Sequence, residues 1–485
     1  MSGVDKPNVV YLLFDDLGYG DVSAFNPKAG FKTPRIDRLA KMGMCFTDAH
    51  ATSAVCTPSR YSIITGRYNW RSTLKSSVLG GYSKPLIAPA RRTIANLFRD
   101  IGYRTHAVGK WHLGLDLPTG EGFVEAPGFA QSGPLEHDRP IGGGPTALGF
   151  DTFYGISASL DMPPYLYIRN DRFTSAPTRT TRSDGMGYWR EGPTGEDFIH
   201  EEVLDHLTGE TLRIISSGDE RPFFLYYALT APHTPILPDR EFRGRSGTNA
   251  YGDFVLHCDD VVGRILDAVD ENTVVVLTSD NGCSPQADFE ELRRFGHHPS
   301  HHFRGMKSDI YEGGHRVPYI IVWPGVTRAD TVCDRTVSLV DLYATFAEYF
   351  GLSLASDEAE DSVSMLNLLE DPDSEAKRTS LIHQSIDGSL SIRKGPWKLE
   401  LCPGSGGWSP PVPGSAEEKL LPAMQLYNLD EDIGETTNLI DRHPEVVRRM
   451  KAELLTIVRD GRSTPGANQP NEGAAFWETA AYLRP

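Results

Sequence analysis

Five short apolar segments, separated by stretches with helical periodicity, constrain the fold of this chain more than any other feature. The segments span residues 8–14, 104–108, 222–229, 273–278 and 318–322. Continuous apolar runs of this length are typical of strands buried on both faces of a parallel sheet. Helical patterns lie between them, at 34–42, 93–101 and 200–215. The alternation predicts an α/β fold with a large mixed, mainly parallel sheet sandwiched by helices.

The C-terminal part of the chain has a different pattern. The sequence SLASDEAEDS near residue 355 predicts an exposed connection. Shorter strand-like segments follow at 389–393, 397–401 and 425–429, and a helical pattern runs from 444 to 458. We therefore predict a large domain over residues 1–360 and a C-terminal subdomain over 361–485 that contains a small antiparallel sheet and a helix.

Composition narrows the classes of partner. The chain has 48 basic and 65 acidic residues, and its net charge of −17 argues against nucleic acid as the main ligand. A small anionic substrate would need a local group of cations, or a metal ion, to reverse this charge. The six cysteines include no CxxC pair, so neither a disulfide scaffold nor a zinc site is expected.

The N-terminus lacks the basic lead and cleavage site of a signal peptide, and no stretch approaches the roughly 20 apolar residues of a membrane helix. As written, the sequence predicts a cytoplasmic protein with no membrane partner. A leader removed from it would make the protein periplasmic or secreted. The sequence does not determine the oligomeric state.

Oxygen-bearing side chains follow two of the predicted strands. Asp15 and Asp16 come directly after the strand at 8–14, and Asp280 and Asn281 follow the strand at 273–278. Ligands of open α/β sheets bind at the carboxyl ends of strands, so these side chains would form an all-oxygen set suited to a hard cation such as Ca²⁺ or Mg²⁺. Asp and Asn are also common turn residues after strands, and for each pair that alternative stays open.

Three further segments add cationic and imidazole side chains. GKWHLG supplies Lys110 and His112, two residues apart, so an extended chain would direct both to one side. APHTP places His233 after a strand, and FRGMKSDIYEGGHRVP places Lys307 in a loop before another strand. Taken singly, each also fits a solvated lysine or a loop histidine. The irregular HHPSHH sequence at 297–302 follows no predicted strand, and we interpret it as a loop and not a metal site.

The stretch AVCTPSRYSIITGR at 54–67 places a cysteine at the predicted start of a helix. Pro58 suits a first helical turn, and Cys56 or Thr57 then lies near the cap. Backbone amides at a helix N-terminus attract anions and would lower the pKa of a thiol there, with Arg60 one turn further on. A buried, inert cysteine is the alternative.

The same stretch resembles a known signature. CTPSR at 56–60, continuing to Thr65-Gly66-Arg67, is similar to the C-x-P-S-R-x-x-x-L-T-G-R sequence of the type I sulfatases in the alkaline-phosphatase superfamily, with Ile64 in place of leucine. Other segments resemble sequences of that family and occur in the family's order: PNVVYLLFDDLGYGD, GKWHLG, APHTP, LTSDNG, GMKSDIYEGGHRVP and LYNLDEDIGETTNL. The resemblance covers nearly the whole chain and implies an alkaline-phosphatase-like fold and a sulfuric ester hydrolase.

The resemblance also implies a metal centre and a modified residue. Asp15, Asp16, Asp280 and Asn281, together with residue 56, would bind one divalent cation. This cation is usually Ca²⁺ in the family, and Mg²⁺ is the alternative. A formylglycine-generating maturation enzyme would oxidise Cys56, and one hydroxyl of the hydrated aldehyde would attack sulfur.

Five further residues have roles that the resemblance implies. Lys307 and the cation would neutralise the sulfate oxygens, and His233 would help protonate the departing alcohol oxygen. His112 would take a proton from the second hydroxyl of the formylglycine hydrate, so that sulfate leaves and the aldehyde returns. Arg60 and Lys110 would hold the formylglycine in place.

We expect the substrate to be a small sulfated sugar cleaved from a chain end, with aryl sulfates also accepted. The segment 156–170 is predicted to lie near the pocket, and the candidate sugar contacts are Asp161, Tyr165, Tyr167, His301 and His302. Two alternatives stay open. The first is a phosphonate monoester or phosphodiester hydrolase of the same superfamily, which can share the C-x-P-S-R signature. The second is a protein that binds sulfated ligands without turnover.

Overall fold

The computed structural model describes residues 6–124, 126, 128–474 and 477–483. The strands of these residues, in chain order, are β1 (Asn8–Asp15), β2 (Met44–Phe46), β3 (Ala49–His50), β4 (Arg104–Lys110), β5 (Thr152–Ile156), β6 (Ile168–Arg169), β7 (Arg172–Phe173), β8 (Pro177–Ser183), β9 (Trp189–Gly195), β10 (Phe223–Pro232), β11 (Thr273–Ser279), β12 (Tyr319–Val322), β13 (Thr331–Cys333), β14 (Val337–Ser338), β15 (Leu381–Gln384), β16 (Leu390–Lys394), β17 (Trp397–Glu400) and β18 (Gln425–Asn428). The α-helices are α1 (Pro34–Met42), α2 (Cys56–Thr65), α3 (Ile94–Asp100), α4 (Val203–Ile215), α5 (Ala250–Leu266), α6 (Phe289–Arg294), α7 (Glu312–His315), α8 (Leu342–Tyr349), α9 (Leu366–Glu370) and α10 (Pro444–Asp460).

Ten strands form one mixed sheet in the order β13-β2-β12-β11-β1-β10-β4-β5-β6-β7. Its central strands β11, β1, β10, β4 and β5 are parallel to one another. Every residue of β10 and β11 is buried, as expected for strands covered on both faces. The predicted α/β fold with a large, mainly parallel sheet is confirmed.

One predicted strand runs in the opposite direction. The segment at 318–322 is β12, and it pairs antiparallel with β11, with Ile320 opposite Leu277. The prediction of a strand is confirmed, but its membership of the parallel set is wrong. The apolar run reports burial on both faces, and three of the four residues of β12 are buried although the strand is antiparallel, so the pattern carries no information about direction.

Helices cover both faces of the sheet because successive side chains of each strand point to opposite sides. Val9 and Leu13 of β1 pack in a cluster with residues of α2, α3 and α8. Val10 and Leu12 pack in a second cluster with residues of α1, α4 and α5. The prediction of helices on both faces is therefore confirmed. No helix of the described residues combines the length and hydrophobicity that a membrane span requires.

A four-stranded antiparallel sheet, β15-β16-β17-β18, follows in the C-terminal part, and α10 packs against it. The predicted small antiparallel sheet and helix are confirmed, although the sequence did not indicate β15. The core of this sheet also includes Tyr68 and Trp70 from the N-terminal part of the chain. The domain boundary after residue 360 stays a prediction.

The segment predicted as an exposed connection is exposed only in its first half. Residues 358–362 are buried. Arg71 donates to the two carboxylate oxygens of Asp361 at 2.7 and 2.9 Å, and Nη1 of Arg91 lies 2.7 Å from Oε1 of Glu360. The prediction is wrong here because arginines distant in sequence neutralise these carboxylates, which makes their burial tolerable.

Three buried histidines from distant segments pack together: His50 on β3, His315 on α7 and His383 on β15. Nδ1 of His50 lies 3.0 Å from Nδ1 of His315, and the rings of His315 and His383 are stacked with centroids 3.7 Å apart and planes 11° apart. Nε2 of His50 lies 2.8 Å from Oδ1 of Asp48. Because one ion cannot lie in the planes of two stacked, nearly parallel rings, we interpret this cluster as hydrogen-bonded packing and not as a metal site.

Burial lowers the pKa of all three histidines. Below about pH 6.5 the unfolded chain therefore gains protons that the folded protein excludes, so each histidine reduces stability as the pH falls, by about 1.4 kcal/mol per pH unit. We expect the melting temperature of His383→Asn to fall less steeply between pH 7.5 and 5.5 than that of the parent protein. The exposed His137→Asn should keep the parent slope, and identical slopes for His383→Asn and the parent would contradict the prediction.

Candidate active site

Cys56 is the first residue of α2, as the sequence predicts. The preceding residue, Val55, has extended backbone angles and is the N-cap of α2. Gly66 ends the helix with a φ of 67°, a left-handed conformation that favours glycine at this position. All ten residues of α2 are buried, so its N-terminus lies inside the protein.

The four predicted oxygen ligands lie together at the carboxyl ends of β1 and β11. These two strands are neighbours, and the N–H group of Asp280 donates to the Phe14 carbonyl at 3.1 Å. The N–H group of Asp16 donates to Oδ1 of Asp280 at 3.2 Å, and Nδ2 of Asn281 donates to Oδ1 of Asp16 at 2.7 Å. Parallel register therefore places Asp15, Asp16, Asp280 and Asn281 side by side, and none is more than 1% exposed.

Three cationic side chains neutralise these carboxylates. Nζ of Lys110 lies 2.7 Å from Oδ2 of Asp15, and Nζ of Lys307 lies 2.7 Å from Oδ2 of Asp16. Nε of Arg60 donates to Oδ2 of Asp280 at 2.9 Å. Three positive charges thus balance three negative ones in a fully buried cluster.

The charges hold the protonation states of the cluster. Burial by itself would raise the pKa of Asp15, but Lys110 keeps it well below its ordinary range. Burial by itself would lower the pKa of Lys307, but Asp16 raises it, so the ammonium stays charged. Burial raises the pKa of Asp280 despite the contact with Arg60.

The predicted lowering of the Cys56 pKa is wrong. Burial raises the pKa of this thiol to about 11, although Lys110 and Lys307 act in the opposite direction. Cys56 is 2% exposed, and the cost of burying a thiolate there outweighs the field of the helix N-terminus. At neutral pH the unmodified residue is therefore a thiol and not a thiolate.

The two candidate histidines differ in their surroundings. Nε2 of His233 lies 3.6 Å from Oδ2 of Asp16, and Nδ1 lies 3.3 Å from Oγ of Ser159, which also accepts a hydrogen bond from Lys110 at 3.1 Å. Ser159 was not among the predicted residues, although it lies within the segment predicted to be near the pocket.

Nε2 of His112 lies 2.7 Å from the Leu79 carbonyl, and among the described residues its Nδ1 has no hydrogen-bond partner. Burial and the charge of Lys110 lower the pKa of His112 well below its ordinary range. The extended chain that was expected from Lys110 to His112 is not present, because β4 ends at Lys110 and His112 is left-handed, with a φ of 55°.

The donor set suits a hard cation. Ligand atoms of Asp15, Asp16, Cys56 and His233 all lie within 4.8 Å of one another. Oδ1 of Asn281 is buried and lacks a partner among the described residues. A buried amide oxygen without a donor, beside several carboxylates, is the arrangement that Ca²⁺ or Mg²⁺ would satisfy. Histidines 297, 298, 301 and 302 belong to none of the potential metal-binding groups in the described residues.

A cavity of about 230 Å³ opens onto Cys56, His233 and Lys307. Of the predicted sugar contacts, Asp161 lines this cavity. The other four do not: Tyr165 and Tyr167 are 1% exposed in the core, His301 packs against Tyr19, and His302 packs against Phe303. Arg190 and Trp408, which were not among the predicted site residues, are two of the further residues that line the cavity. A lone tryptophan in the glycine-rich sequence GSGGWS was a usable signal for Trp408, whereas nothing in the sequence distinguished Arg190.

Arg60 supports the cluster of carboxylates, and this generates a stability prediction. In Arg60→Met the buried carboxylate of Asp280 loses its cation, so we expect a loss of about 3–5 kcal/mol in the free energy of unfolding. Thermal or denaturant melting of the protein measures the loss. Arg459→Met, at a side chain that is 68% exposed, is the matched control and should melt like the parent. Equal melting of both variants would contradict the structural role of Arg60.

Comparisons with known proteins agree with this geometry. The model of the sulfatase family matches residues 7–352. An N-acetylgalactosamine-6-O-sulfatase of Bacteroides thetaiotaomicron is 32% identical, over 94% of this chain and 93% of that protein. Human arylsulfatase A is 29% identical, over 96% of this chain and 91% of that protein.

Solved structures give the same result. A Bacteroides thetaiotaomicron structure, from work on the metabolism of multiple glycosaminoglycans, has a TM-score of 0.80 and 31% identity, and the match covers 93% of this chain and 99% of that one. A structure in complex with a neocarrahexaose has a TM-score of 0.68 at 23% identity, which shows the shared fold alone. The family match over well more than half of the chain confirms the resemblance: this chain belongs to the sulfatase family and is a sulfuric ester hydrolase.

Proposed function

We propose that this enzyme removes the sulfate group from a sulfated sugar, using formylglycine formed from Cys56 and one divalent cation beside it. The observation that carries the proposal is the position of Cys56. Its sulfur lies within 4.8 Å of ligand atoms of Asp15, Asp16 and His233, and it lines the same cavity as Lys307. A nucleophile, oxygen ligands for a cation and a positively charged side chain thus converge at one point of a small cavity.

The cation would be held by Asp15, Asp16, Asp280 and Asn281, together with residue 56. Ca²⁺ fits better than Mg²⁺, because Ca²⁺ accepts many protein oxygens, whereas Mg²⁺ usually keeps several waters. When bound, it supplies positive charge that polarises the sulfate oxygens. The charges of the cluster cancel without it, so a divalent cation would leave the site positive. That local charge would attract a sulfate ester into a protein whose net charge is −17.

The remaining chemistry belongs to side chains of the chain. Formylglycine, produced at position 56 by a maturation enzyme, supplies a hydrated aldehyde as the nucleophile. Lys307 would bind sulfate oxygens, and His233 would donate a proton to the departing alcohol oxygen. His112 would accept a proton at Nδ1, which has no partner among the described residues, and its lowered pKa keeps the imidazole neutral for that purpose.

Arg60 and Lys110 have contacts that differ from the role implied by the resemblance. Arg60 donates to Asp280, and Lys110 donates to Asp15. We therefore assign to both the positioning of the carboxylates that would hold the cation, in place of a direct hold on the formylglycine.

The sugar is proposed from the relatives and the size of the cavity. The relative that is 32% identical is named as an N-acetylgalactosamine-6-O-sulfatase. A cavity of about 230 Å³ is smaller than the pockets of about 300–1,000 Å³ that bind drug-sized ligands. The name of the relative supports a 6-sulfated N-acetylhexosamine as the substrate, and the small cavity supports an exo-acting enzyme that takes this sugar at a chain end.

Cys56→Ala is the decisive variant. Without the side chain that is oxidised to formylglycine, we expect release of free sulfate from N-acetylgalactosamine 6-sulfate and from 4-nitrophenyl sulfate to fall by at least about 10³-fold. The parent protein and the Cys56→Ala variant are each co-expressed with a maturation enzyme, and melting curves check that the variant folds.

Cys45→Ala is the matched control, because Cys45 is a half-buried cysteine on β2 away from the cavity, and it should retain activity. Activity of Cys56→Ala within tenfold of the parent would contradict the mechanism. A parent protein that hydrolyses phosphonate monoesters or phosphodiesters faster than sulfates would favour the alternative hydrolase.

Metal binding has its own prediction. Added Ca²⁺ should raise the melting temperature of the parent protein, because a ligand that binds only the folded state stabilises it by about 2.7 kcal/mol at 100 times Kd. Asp16→Asn and Asn281→Ala should lose most of that shift and bind less calcium by elemental analysis. Asp116→Asn, at an exposed carboxylate, should keep both. Calcium contents equal to that of the parent in the first two variants would refute the assigned ligands.

A further inference from the structure

Asp161 and Arg190 form an ion pair in the wall of the cavity. Nη1 of Arg190 donates to Oδ2 of Asp161, and the N–H group of Arg190 donates to the Asp161 carbonyl at 3.1 Å. Asp161 is 6% exposed, and its other carboxylate oxygen, Oδ1, has no hydrogen-bond partner in the described part of the chain. Leaving a buried acceptor unsatisfied costs free energy, so a ligand with a hydroxyl or amide donor would be stabilised there.

The ion pair is held in place by its neighbours. The hydroxyl of the buried Tyr165 lies 2.7 Å from the Arg190 carbonyl and 3.0 Å from the Asp161 carbonyl. The Arg190 guanidinium lies 4.7 Å from the ring centroid of Phe129. Polar groups fixed before binding lose little conformational entropy when a ligand arrives. Tyr165, predicted as a direct sugar contact, is therefore a positioning residue.

Trp408 reaches the same cavity from the C-terminal part of the chain. Its N–H group donates to Oδ1 of Asp309 at 2.8 Å, and the N–H group of Ser409 donates to the same oxygen at 3.0 Å. The backbone is thus anchored two residues from Lys307, while the Trp408 residue remains 42% exposed. A fixed backbone that presents a large, partly exposed aromatic ring to a polar cavity suits packing against the C–H face of a sugar. Trp408 also lies outside residues 7–352, the region that the family model matches.

The charges of the lining indicate which sugars fit. Among the described residues that line the cavity, the lysine and arginine side chains are those of Lys307 and Arg190. Lys307 is paired with the carboxylate of Asp16, and Arg190 is paired with that of Asp161. No lysine or arginine of this lining is left over for a second anionic group on the ring. A uronic acid would therefore place its carboxylate beside Asp161 without a free cation, whereas a neutral ring avoids that repulsion.

We propose that Asp161, Arg190 and Trp408 form the subsite for the sugar ring that bears the sulfate, and that this subsite selects a neutral, terminal pyranose. Oδ1 of Asp161 accepts a hydrogen bond from a hydroxyl or acylamino N–H group, Arg190 donates to the oxygen of an adjacent substituent, and Trp408 packs against the ring. This subsite rests on the proposed function and adds to it the class of sugar.

The test compares two substrates that share the sulfate but differ in the ring. N-acetylgalactosamine 6-sulfate engages the whole subsite, whereas 4-nitrophenyl sulfate has no hydroxyl groups to bind. In Asp161→Asn the amide oxygen would accept from Arg190, so the NH₂ group would take the place of Oδ1 and the acceptor for the sugar would be lost. In Arg190→Gln the charged donor to the sugar is lost. Loss of a hydrogen bond to a charged group costs about 2 kcal/mol, so the ratio of kcat/KM for the sugar to that for the aryl sulfate should fall about 30-fold in each.

Trp408→Leu tests the subsite independently, because the Trp408 side chain is partly exposed and its replacement leaves no cavity in the core. We expect the same ratio to fall by about tenfold, through lost packing on the ring. Arg459→Gln, an exposed arginine on α10, is the matched control and should keep the ratio of the parent. Melting curves of each variant check the fold.

Four outcomes would overturn the subsite. If kcat/KM fell equally for both substrates in all three variants, these residues would not contribute to recognition of the sugar ring. A parent enzyme that turns over 4-nitrophenyl sulfate but no neutral sugar sulfate, or that prefers a sulfated uronic acid, would exclude the assigned class of sugar. A matured parent that hydrolyses no sulfate ester at all, aryl sulfate included, would overturn the proposed function and the subsite with it.

Discussion

The buried balance of charge at the carboxyl ends of β1 and β11 is the constraint on which the rest of the site depends. Carboxylates with no exposure to solvent are costly unless cations neutralise them at close range. Lys110 at the end of β4, Arg60 on α2 and Lys307 in the loop before α7 each supply one cation, and none of the three is near another in sequence. The sheet order, which places β11, β1, β10 and β4 side by side, makes this meeting possible.

The same balance explains how an acidic protein can handle an anionic ester. Because the charges of the cluster cancel, a bound divalent cation would give the site a positive charge that the net charge of −17 does not suggest. The N-terminus of α2 adds its amides beside residue 56, so the sulfate would meet a cation, an ammonium and a helix N-terminus together. The neutral Asp161–Arg190 pair then leaves the ring portion of the cavity without excess charge, which separates recognition of the sulfate from recognition of the sugar.

Particular residues show how far the sequence could be read. Apolar runs located the buried strands within one to three residues, because burial on both faces leaves a continuous hydrophobic pattern. They did not reveal that β12 is antiparallel, since direction depends on the connection and not on burial. The acidic segment at 358–362 was misjudged, because its arginine partners Arg71 and Arg91 lie far away in the chain. The sequence correctly predicted that the segment containing Tyr165 lies near the cavity. It did not predict that the Tyr165 hydroxyl contacts the backbone carbonyls of Asp161 and Arg190, because packing decides which way a side chain points.

The sequence by itself determined the α/β class, the residues that end the two central strands, the helix start at Cys56 and, through its signature, the sulfatase family. These features are local: they depend on hydrophobic periodicity, on capping and on a contiguous motif. Only the tertiary structure decided that the Cys56 thiol is buried with a raised pKa, that Arg60 and Lys110 contact carboxylates, and that Arg190 and Trp408 line the cavity. Each of these depends on which distant segments come together, because burial and charge act through space and not along the chain.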